Sequence, residues 1–98
     1  MGNTSLSKEL RSDMISSESD RIGLYEILDQ ERRVLYIGEG PLRSMLKEHE
    51  RDGVFPLSEG RYYRTFTMIN PERITEMKRK LLDDYVEICG EPPRYNSV

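Results

Sequence analysis

The chain has 98 residues, the usual size of a single domain. Its hydrophobic content of 36% supports one modest core, and 34% of its residues are charged. The net charge of −3 and the pI near 5.2 argue against strong general affinity for DNA, because nucleic-acid-binding domains usually carry a basic surface. The single cysteine, Cys89, excludes an internal disulfide framework and a zinc site built on cysteines.

No targeting or membrane segment is predicted. The first 20 residues lack the apolar stretch of a secretory signal. No run approaches the roughly 18–20 consecutive apolar residues of a membrane span. We therefore expect a cytoplasmic protein with no membrane partner.

The N-terminal segment, residues 1–21, is polar and rich in serine. Leu6, Leu10 and Met14 recur at helical spacing, which predicts a short helix from Ser5 to Met14, capped by Ser5 or by the threonine before it. A loosely docked terminus is the alternative interpretation.

Two short apolar runs follow, at Ile22–Leu28 and Val34–Gly38. Both are rich in residues that favour strands, and the polar residues 29–33 join them. Runs with so short a connection most simply pair as an antiparallel hairpin. Because the side chains of a strand alternate between its faces, Tyr25 and Tyr36 can lie side by side on one face of the sheet.

Two amphipathic helices are predicted after the hairpin. The first begins at Pro41, ends at Asp52-Gly53, and places four residues on one face, namely Leu42, Met45, Leu46 and His49. The second begins at Asn70-Pro71 and ends at Gly90. Its apolar stripe contains Ile74, Met77, Leu81, Leu82, Tyr85 and Ile88.

A third strand is predicted between these helices, at Arg61–Ile69, where aromatic and β-branched residues alternate. The element order is then β-β-α-β-α, with the N-terminal helix as a possible addition. This order predicts an α+β fold with a small three-stranded antiparallel sheet flanked by helices, residues 22–98 forming the domain.

The tripeptides Gly23-Leu24-Tyr25 and Tyr36-Ile37-Gly38 resemble the paired motifs of the GIY-YIG nuclease superfamily. The first departs from the name by leucine for isoleucine, and the second matches it. The resemblance covers residues 22–96. It implies hydrolysis of phosphodiester bonds with Mg²⁺ or Mn²⁺ as the cofactor. Its implied catalytic residues are Tyr25, Tyr36, His49 and Asn96, the last delivered by the ending Pro93-Arg94-Tyr95-Asn96.

Two positions depart from the pattern of the superfamily. Met45 occupies the place of the catalytic arginine, and Arg43 is about 200° away around the helix. Lys78 occupies the place of the glutamate that holds the metal, and an ammonium repels a cation. Glu76 or Asp84 can replace that glutamate only if the helical register differs. The resemblance predicts a cleft lined by the four catalytic candidates, with Met45 and Lys78 beside it.

Basic residues offer a surface for nucleic acid, through Arg43, Arg61, Arg64 and Lys78. An edge strand protected by charge explains Arg61 and Arg64 equally well. The tyrosines likewise have a plain interpretation as half-buried residues of a sheet.

Three functions therefore stay open. One is a catalytically degenerate GIY-YIG-like module that binds nucleic acid or a protein without cutting and needs no cofactor. Another is an active metal-dependent DNA endonuclease, for instance in DNA repair. The last is a purely structural interaction domain that uses its sheet edge. The acidic pI predicts weak affinity for DNA in each case.

Overall fold

The computed structural model describes residues 7–50, 53, 57–66 and 70–96. Within these ranges a two-residue strand and a short helix precede the predicted hairpin. The regular elements are β1 (Lys8–Glu9), α1 (Ser12–Ser16), β2 (Ile22–Leu28), β3 (Val34–Pro41), α2 (Leu42–His49), β4 (Tyr62–Phe66) and α3 (Ile74–Cys89), with short 3₁₀ helices at Pro71–Arg73 and Arg94–Asn96.

The strands form one antiparallel sheet in the order β1-β4-β2-β3. The predicted α+β class and the β2–β3 hairpin are confirmed. The described residues form four strands, one more than the three predicted. β1 is the addition, and its Lys8 and Glu9 pair with Tyr63 and Tyr62 of β4. Since β2 lies between two partners, its side chains occupy the centre of both faces of the sheet.

The predicted helix from Ser5 to Met14 was wrong over Lys8–Glu9, which is extended, and the helix lies at Ser12–Ser16 instead. Sheet pairing is the physical reason, because it overrides a weak helical pattern. The N–H of Leu10 extends the pairing by donating to the carbonyl of Arg61 at 2.9 Å. Both predicted capping residues, Thr4 and Ser5, lie outside the described residues.

One face of the sheet packs against α1 and α2 and carries the main core. Ile15 of α1 is fully buried there, so the described part of the N-terminal segment, from residue 7 onward, is packed into the core rather than loosely docked. The apolar stripe of α2 points to the same core, as its spacing predicted. The buried residues of this cluster are Ile15, Tyr25, Ile27, Leu35, Leu42, Leu46 and Tyr63.

The opposite face of the sheet is covered by α3, which lies along β3. The Thr75 hydroxyl donates to Glu39 at 2.8 Å near the end of β3, and the Tyr85 hydroxyl donates to the carbonyl of Val34 at its beginning, at 3.3 Å. The helix therefore runs antiparallel to the strand. As predicted, Gly90 ends it in the left-handed conformation, with φ of 89°.

The remaining predicted boundaries differ by a few residues. α2 ends at His49 instead of Asp52-Gly53, and Pro41 belongs to β3. Asn70 caps the predicted start by accepting the N–H of Glu72 at 3.0 Å, but the first turn is a 3₁₀ turn. Residues 67–69 of the predicted third strand lie outside the described residues. Among the helices described, none is long and apolar enough to cross a membrane.

Burial of Ile15 predicts that the N-terminal segment contributes substantially to stability. Ile15→Ala is expected to lower the free energy of unfolding by about 2–5 kcal/mol, since it leaves a cavity in the core. The matched control is Ile22→Ala, because Ile22 is 53% exposed and should cost little. Denaturant unfolding measures both changes, and equal small losses would show that the segment is only loosely attached.

Candidate functional site

Tyr25 lies at the centre of the sheet, in the middle of β2. Its neighbours across the two adjacent strands are Gly38 and Thr65. The side chain points toward α2 and is fully buried. A hydrogen bond of 2.7 Å joins its hydroxyl oxygen to Nε2 of His49, the last residue of α2. This bond connects the first predicted motif to the helix that follows the second.

Tyr36 completes a three-ring cluster. Its ring centroid lies 6.0 Å from that of Tyr25 and 5.1 Å from that of His49, and the Tyr25 and His49 centroids are 5.6 Å apart. All three pairs are tilted, an arrangement that aromatic rings favour over direct stacking. The structure thus brings together three of the four predicted catalytic residues. We call these three residues the tyrosine–histidine cluster.

Gly38 makes the cluster possible. A Cβ atom on Gly38 would lie 2.3 Å from Cζ of Tyr25, 2.4 Å from its hydroxyl oxygen and 2.7 Å from Cε2 of Tyr36. Such distances are far below van der Waals contact, so the absent side chain leaves the space through which the Tyr25 ring crosses β3. The glycine of the second motif therefore has a steric role that its place in the sequence motif did not explain.

Asn96, the fourth predicted catalytic residue, lies at the outer edge of β3. Its Oδ1 accepts the N–H of Ile37 at 2.8 Å, and its Nδ2 donates to the carbonyl of Ile37 at 3.0 Å. The amide is therefore engaged with the backbone of the second motif. It positions the strand that carries Tyr36, and its two polar atoms are directed to that strand.

The surroundings of Tyr25 favour its neutral form. Burial, followed by the proximity of Tyr36, raises the pKa of the Tyr25 hydroxyl far above its ordinary value of 10. The phenol therefore keeps its proton at physiological pH. A fully buried, protonated phenol that already bonds to His49 is poorly placed to accept a proton from an attacking water.

Met45 lies beside this cluster, on the same side of the sheet. A Cβ on Gly40 would come within 3.0 Å of its Cγ, so the thioether packs against the end of β3. Met45 also joins the hydrophobic core. Arg43 points elsewhere, and its guanidinium donates to the backbone carbonyl of Glu18 at 3.4 Å. Neither residue brings a positive charge to the tyrosines.

Lys78 lies on the other side of the sheet from the cluster. Tyr36 and Gly38 face α2, so the alternation of β3 directs Glu39 toward α3. There the Lys78 ammonium lies 3.9 Å from Glu39. Lys78 therefore pairs with a carboxylate, and it does not line the predicted cleft together with Tyr25 and His49.

Neither alternative metal ligand joins the cluster. Glu76 pairs with Arg73 at 3.2 Å, and Asp84 lies 3.9 Å from Lys80, in both cases on the exposed side of α3. Among the residues described, no group of three or more histidine, cysteine, aspartate or glutamate side chains is placed to hold a metal ion.

The remaining basic candidates are engaged within the chain. Arg64 forms an ion pair of 2.8 Å with the buried Glu26, opposite it on β2. The guanidinium of Arg61 donates to the carbonyls of Ser58 and Gly60, at 3.1 and 3.0 Å. These interactions direct both guanidinium groups toward the domain itself.

Sequence reasoning missed the contact that anchors the beginning of α2. The Asp20 carboxylate accepts the N–H of Ser44 at 2.8 Å and also its hydroxyl. These hydrogen bonds hold the pKa of Asp20 below its ordinary value. The two residues are 24 positions apart, so no local pattern could have indicated that a residue of the N-terminal segment caps this helix.

The fold and the cluster define a small α+β domain in which two tyrosines and a histidine meet on one face of an antiparallel sheet. Residues 6–82 match the family described as a domain of unknown function (DUF7508), and the chain belongs to this family. No curated protein matches the chain. The matched range contains the whole tyrosine–histidine cluster and ends before Asn96.

The steric role of Gly38 is testable. Gly38→Ala is expected to lower the free energy of unfolding by about 3 kcal/mol, because the new methyl group overlaps the Tyr25 ring. In a Tyr25→Leu background the same change should cost much less, since the ring is gone. Denaturant unfolding of the four proteins forms a double-mutant cycle. Equal costs in both backgrounds would contradict the proposed contact.

Burial of Glu26 predicts a pH dependence. Burial raises the pKa of Glu26 above its ordinary value of 4.5, and Arg64 only partly opposes this. The folded chain then holds this proton more tightly than the unfolded chain. As pH rises from about 4.5 through the folded-state pKa, the wild type should therefore lose stability relative to Glu26→Gln, and the difference should then level off.

Urea unfolding over this pH range measures the difference between wild type and Glu26→Gln. The matched control is Glu91→Gln, because Glu91 is exposed beyond the end of α3. Parallel pH profiles for wild type and Glu26→Gln would mean that Glu26 is not stabilised in its protonated form by the fold.

Proposed function

We propose that the chain is a catalytically degenerate GIY-YIG-like domain that acts in the cytoplasm as a binding module. The proposal starts from the tyrosine–histidine cluster, whose members occupy the places that the two tripeptides and the following helix suggest. Within the part of the chain that the structure describes, neither the arginine nor the metal-holding glutamate that the resemblance calls for lies beside this cluster. A positioned cation and a metal contribute the principal stabilisation of charge in phosphoryl transfer.

The observation that carries the proposal is the combination of a buried Tyr25 with an uncharged Met45. Tyr25 is fully buried and bonded to His49. A methionine side chain carries no charge and donates no hydrogen bond, so it cannot stabilise a developing charge on phosphorus. Removal of one such stabilising group typically costs about 10²–10³ in rate. These two features support a domain that keeps the tyrosines and the histidine of the resembled pattern and, among the described residues, lacks its electrostatic components.

A protein is the better-supported ligand for such a module than DNA. Arg43, Arg61, Arg64 and Lys78 each form a hydrogen bond or ion pair within the domain. The chain also carries a net charge of −3. Binding to a phosphate backbone depends on cations that release counterions. Here the candidate cations already have partners, and the overall charge repels the polyanion.

An active endonuclease remains the second candidate, because the assembly of Tyr25, Tyr36 and His49 favours it. In that case Mg²⁺ or Mn²⁺ would polarise the scissile phosphate. The described residues fit such an ion poorly, because Lys78 faces the opposite side of the sheet and is paired with Glu39.

A cleavage assay separates the two candidates. Supercoiled and branched DNA are incubated with the folded protein and either Mg²⁺ or Mn²⁺, with Tyr25→Phe as the control. We expect no cleavage by either protein. Metal-dependent cleavage by the wild type that disappears in Tyr25→Phe would establish the endonuclease and overturn the degenerate module.

A binding assay tests the preference for a protein ligand. In fluorescence anisotropy at physiological salt, single-stranded and duplex DNA should show no saturable binding at micromolar protein. Saturable binding that weakens with salt, and that Arg64→Met or Lys78→Met reduces, would instead identify DNA as the ligand.

A further inference from the structure

The tyrosine–histidine cluster opens to solvent at Tyr36. Tyr25 is fully buried and His49 is only 6% exposed, whereas Tyr36 is half-buried. Tyr36 belongs to β3, which is an outer strand of the sheet. A ligand that approaches the cluster therefore meets the ring of Tyr36 before it meets the other two rings.

The helix α2 forms the other border of this opening. It runs antiparallel along β3, because Met45 packs against the end of the strand while the ring of His49 lies 5.1 Å from that of Tyr36, nearer its beginning. Glu48 follows Met45 by three residues, so it lies about 60° from Met45 around the helix and one turn further along. Met45 and Glu48 therefore share the flank of α2 that borders β3.

The Glu48 carboxylate places a negative charge beside the cluster. After burial and the proximity of Tyr36, this charge is a further cause of the raised pKa of Tyr25. Glu48 is half-buried, and among the residues that the structure describes no hydrogen bond or ion pair engages its carboxylate. Arg43, on the same helix, is directed instead to the backbone of Glu18. The described part of the domain thus leaves the charge of Glu48 without a counter-charge.

An aromatic ring, a thioether and an unpaired carboxylate are together complementary to an organic cation. The face of a tyrosine ring attracts an ammonium or guanidinium group placed within about 6 Å of its centroid. The polarizable side chain of Met45 suits the apolar stem that carries such a group. A phosphate, in contrast, is repelled by Glu48. The chemistry of this opening therefore differs in sign from that of a site for nucleic acid.

We propose that the opening between β3 and α2 binds the cationic side chain of a lysine or arginine of a protein partner, held between the Tyr36 ring and the Glu48 carboxylate. The inference rests on the proposed function, a binding module for a protein, and it assigns the chemistry of the ligand. In the resembled pattern a cation of the domain itself occupies the place of Met45. Here the partner supplies the cation.

Titration of the ¹⁵N-labelled full chain with short peptides, followed by NMR, tests the proposal. The probes are pentalysine and pentaarginine, each with an acetylated N-terminus and an amidated C-terminus, and pentaglutamine is the neutral control. We expect a basic peptide to shift the backbone amides of Gly38, Gly40 and Glu48 saturably, with a dissociation constant on the order of 1 mM that rises with salt. The comparison of the two basic peptides identifies the preferred cation. Absence of these shifts with both would overturn the proposal.

Two pairs of variants separate a specific site from general attraction to an acidic domain. Glu48→Gln should raise the dissociation constant about threefold, because it removes the counter-charge. The matched control is Glu91→Gln, the same charge change at an exposed residue beyond the end of α3, and its effect should be much smaller. Tyr36→Leu should also raise the dissociation constant about threefold, whereas Tyr36→Phe keeps the ring face and should weaken binding less. Equal effects of Glu48→Gln and Glu91→Gln would overturn the proposal.

The dispersion of the amide signals shows whether each variant is folded, and the Glu48 pair decides the question even if Tyr36→Leu unfolds. Titration with Mg²⁺ alone is the remaining control. Saturable shifts of the same amides by Mg²⁺, lost in Glu48→Gln, would identify a metal site and overturn the proposal. The cleavage assay keeps the two proposals distinguishable. Cleavage would overturn the degenerate module, whereas absence of both cleavage and peptide binding would overturn the cation site alone.

Discussion

The hydrogen bond between Tyr25 and His49 is the interaction on which the rest of this structure depends. It joins the central strand to the last turn of α2, with a donor–acceptor distance of 2.7 Å in a buried setting. A buried hydrogen bond left without its partner costs about 1–3 kcal/mol, so both side chains are held in place by each other. The open space at Gly38 permits this contact, because any side chain there would displace the Tyr25 ring.

Much of the fold could be predicted because its signals are local. Short apolar runs rich in strand-favouring residues predicted β2 and β3, the 3.6-residue period predicted the buried face of α2, and the capping signals Asn70-Pro71 and Gly90 predicted the extent of α3. β1 could not be predicted in this way, because two residues acquire a strand conformation only by pairing with β4. The burial of Ile15 has the same origin. Helical spacing in a polar segment says little about which neighbour will cover it.

The same distinction between local signals and tertiary contacts applies to the candidate site. The meeting of Tyr25 and Tyr36 could be predicted from strand alternation, and the resemblance to the superfamily added His49 to them. The partners of the charged residues could not be predicted from local patterns. Arg64 has a carboxylate opposite it on the next strand, and Lys78 meets Glu39 across two elements. Each pairing depends on tertiary geometry, which local sequence patterns do not give.

The hydrogen bonds of Asn96 also affect the exposed edge of the sheet. Its amide accepts from the N–H of Ile37 and donates to the carbonyl of the same residue, which is the pair of bonds that a neighbouring antiparallel strand would make. A single side chain thus satisfies part of an outer strand that would otherwise attract strands from other molecules. The Asn96 side chain therefore opposes edge-to-edge aggregation at this point of β3. A shortened form of the protein that lacks Asn96 would leave these backbone groups of β3 unpaired. It should therefore aggregate more readily, independently of any effect on the tyrosines.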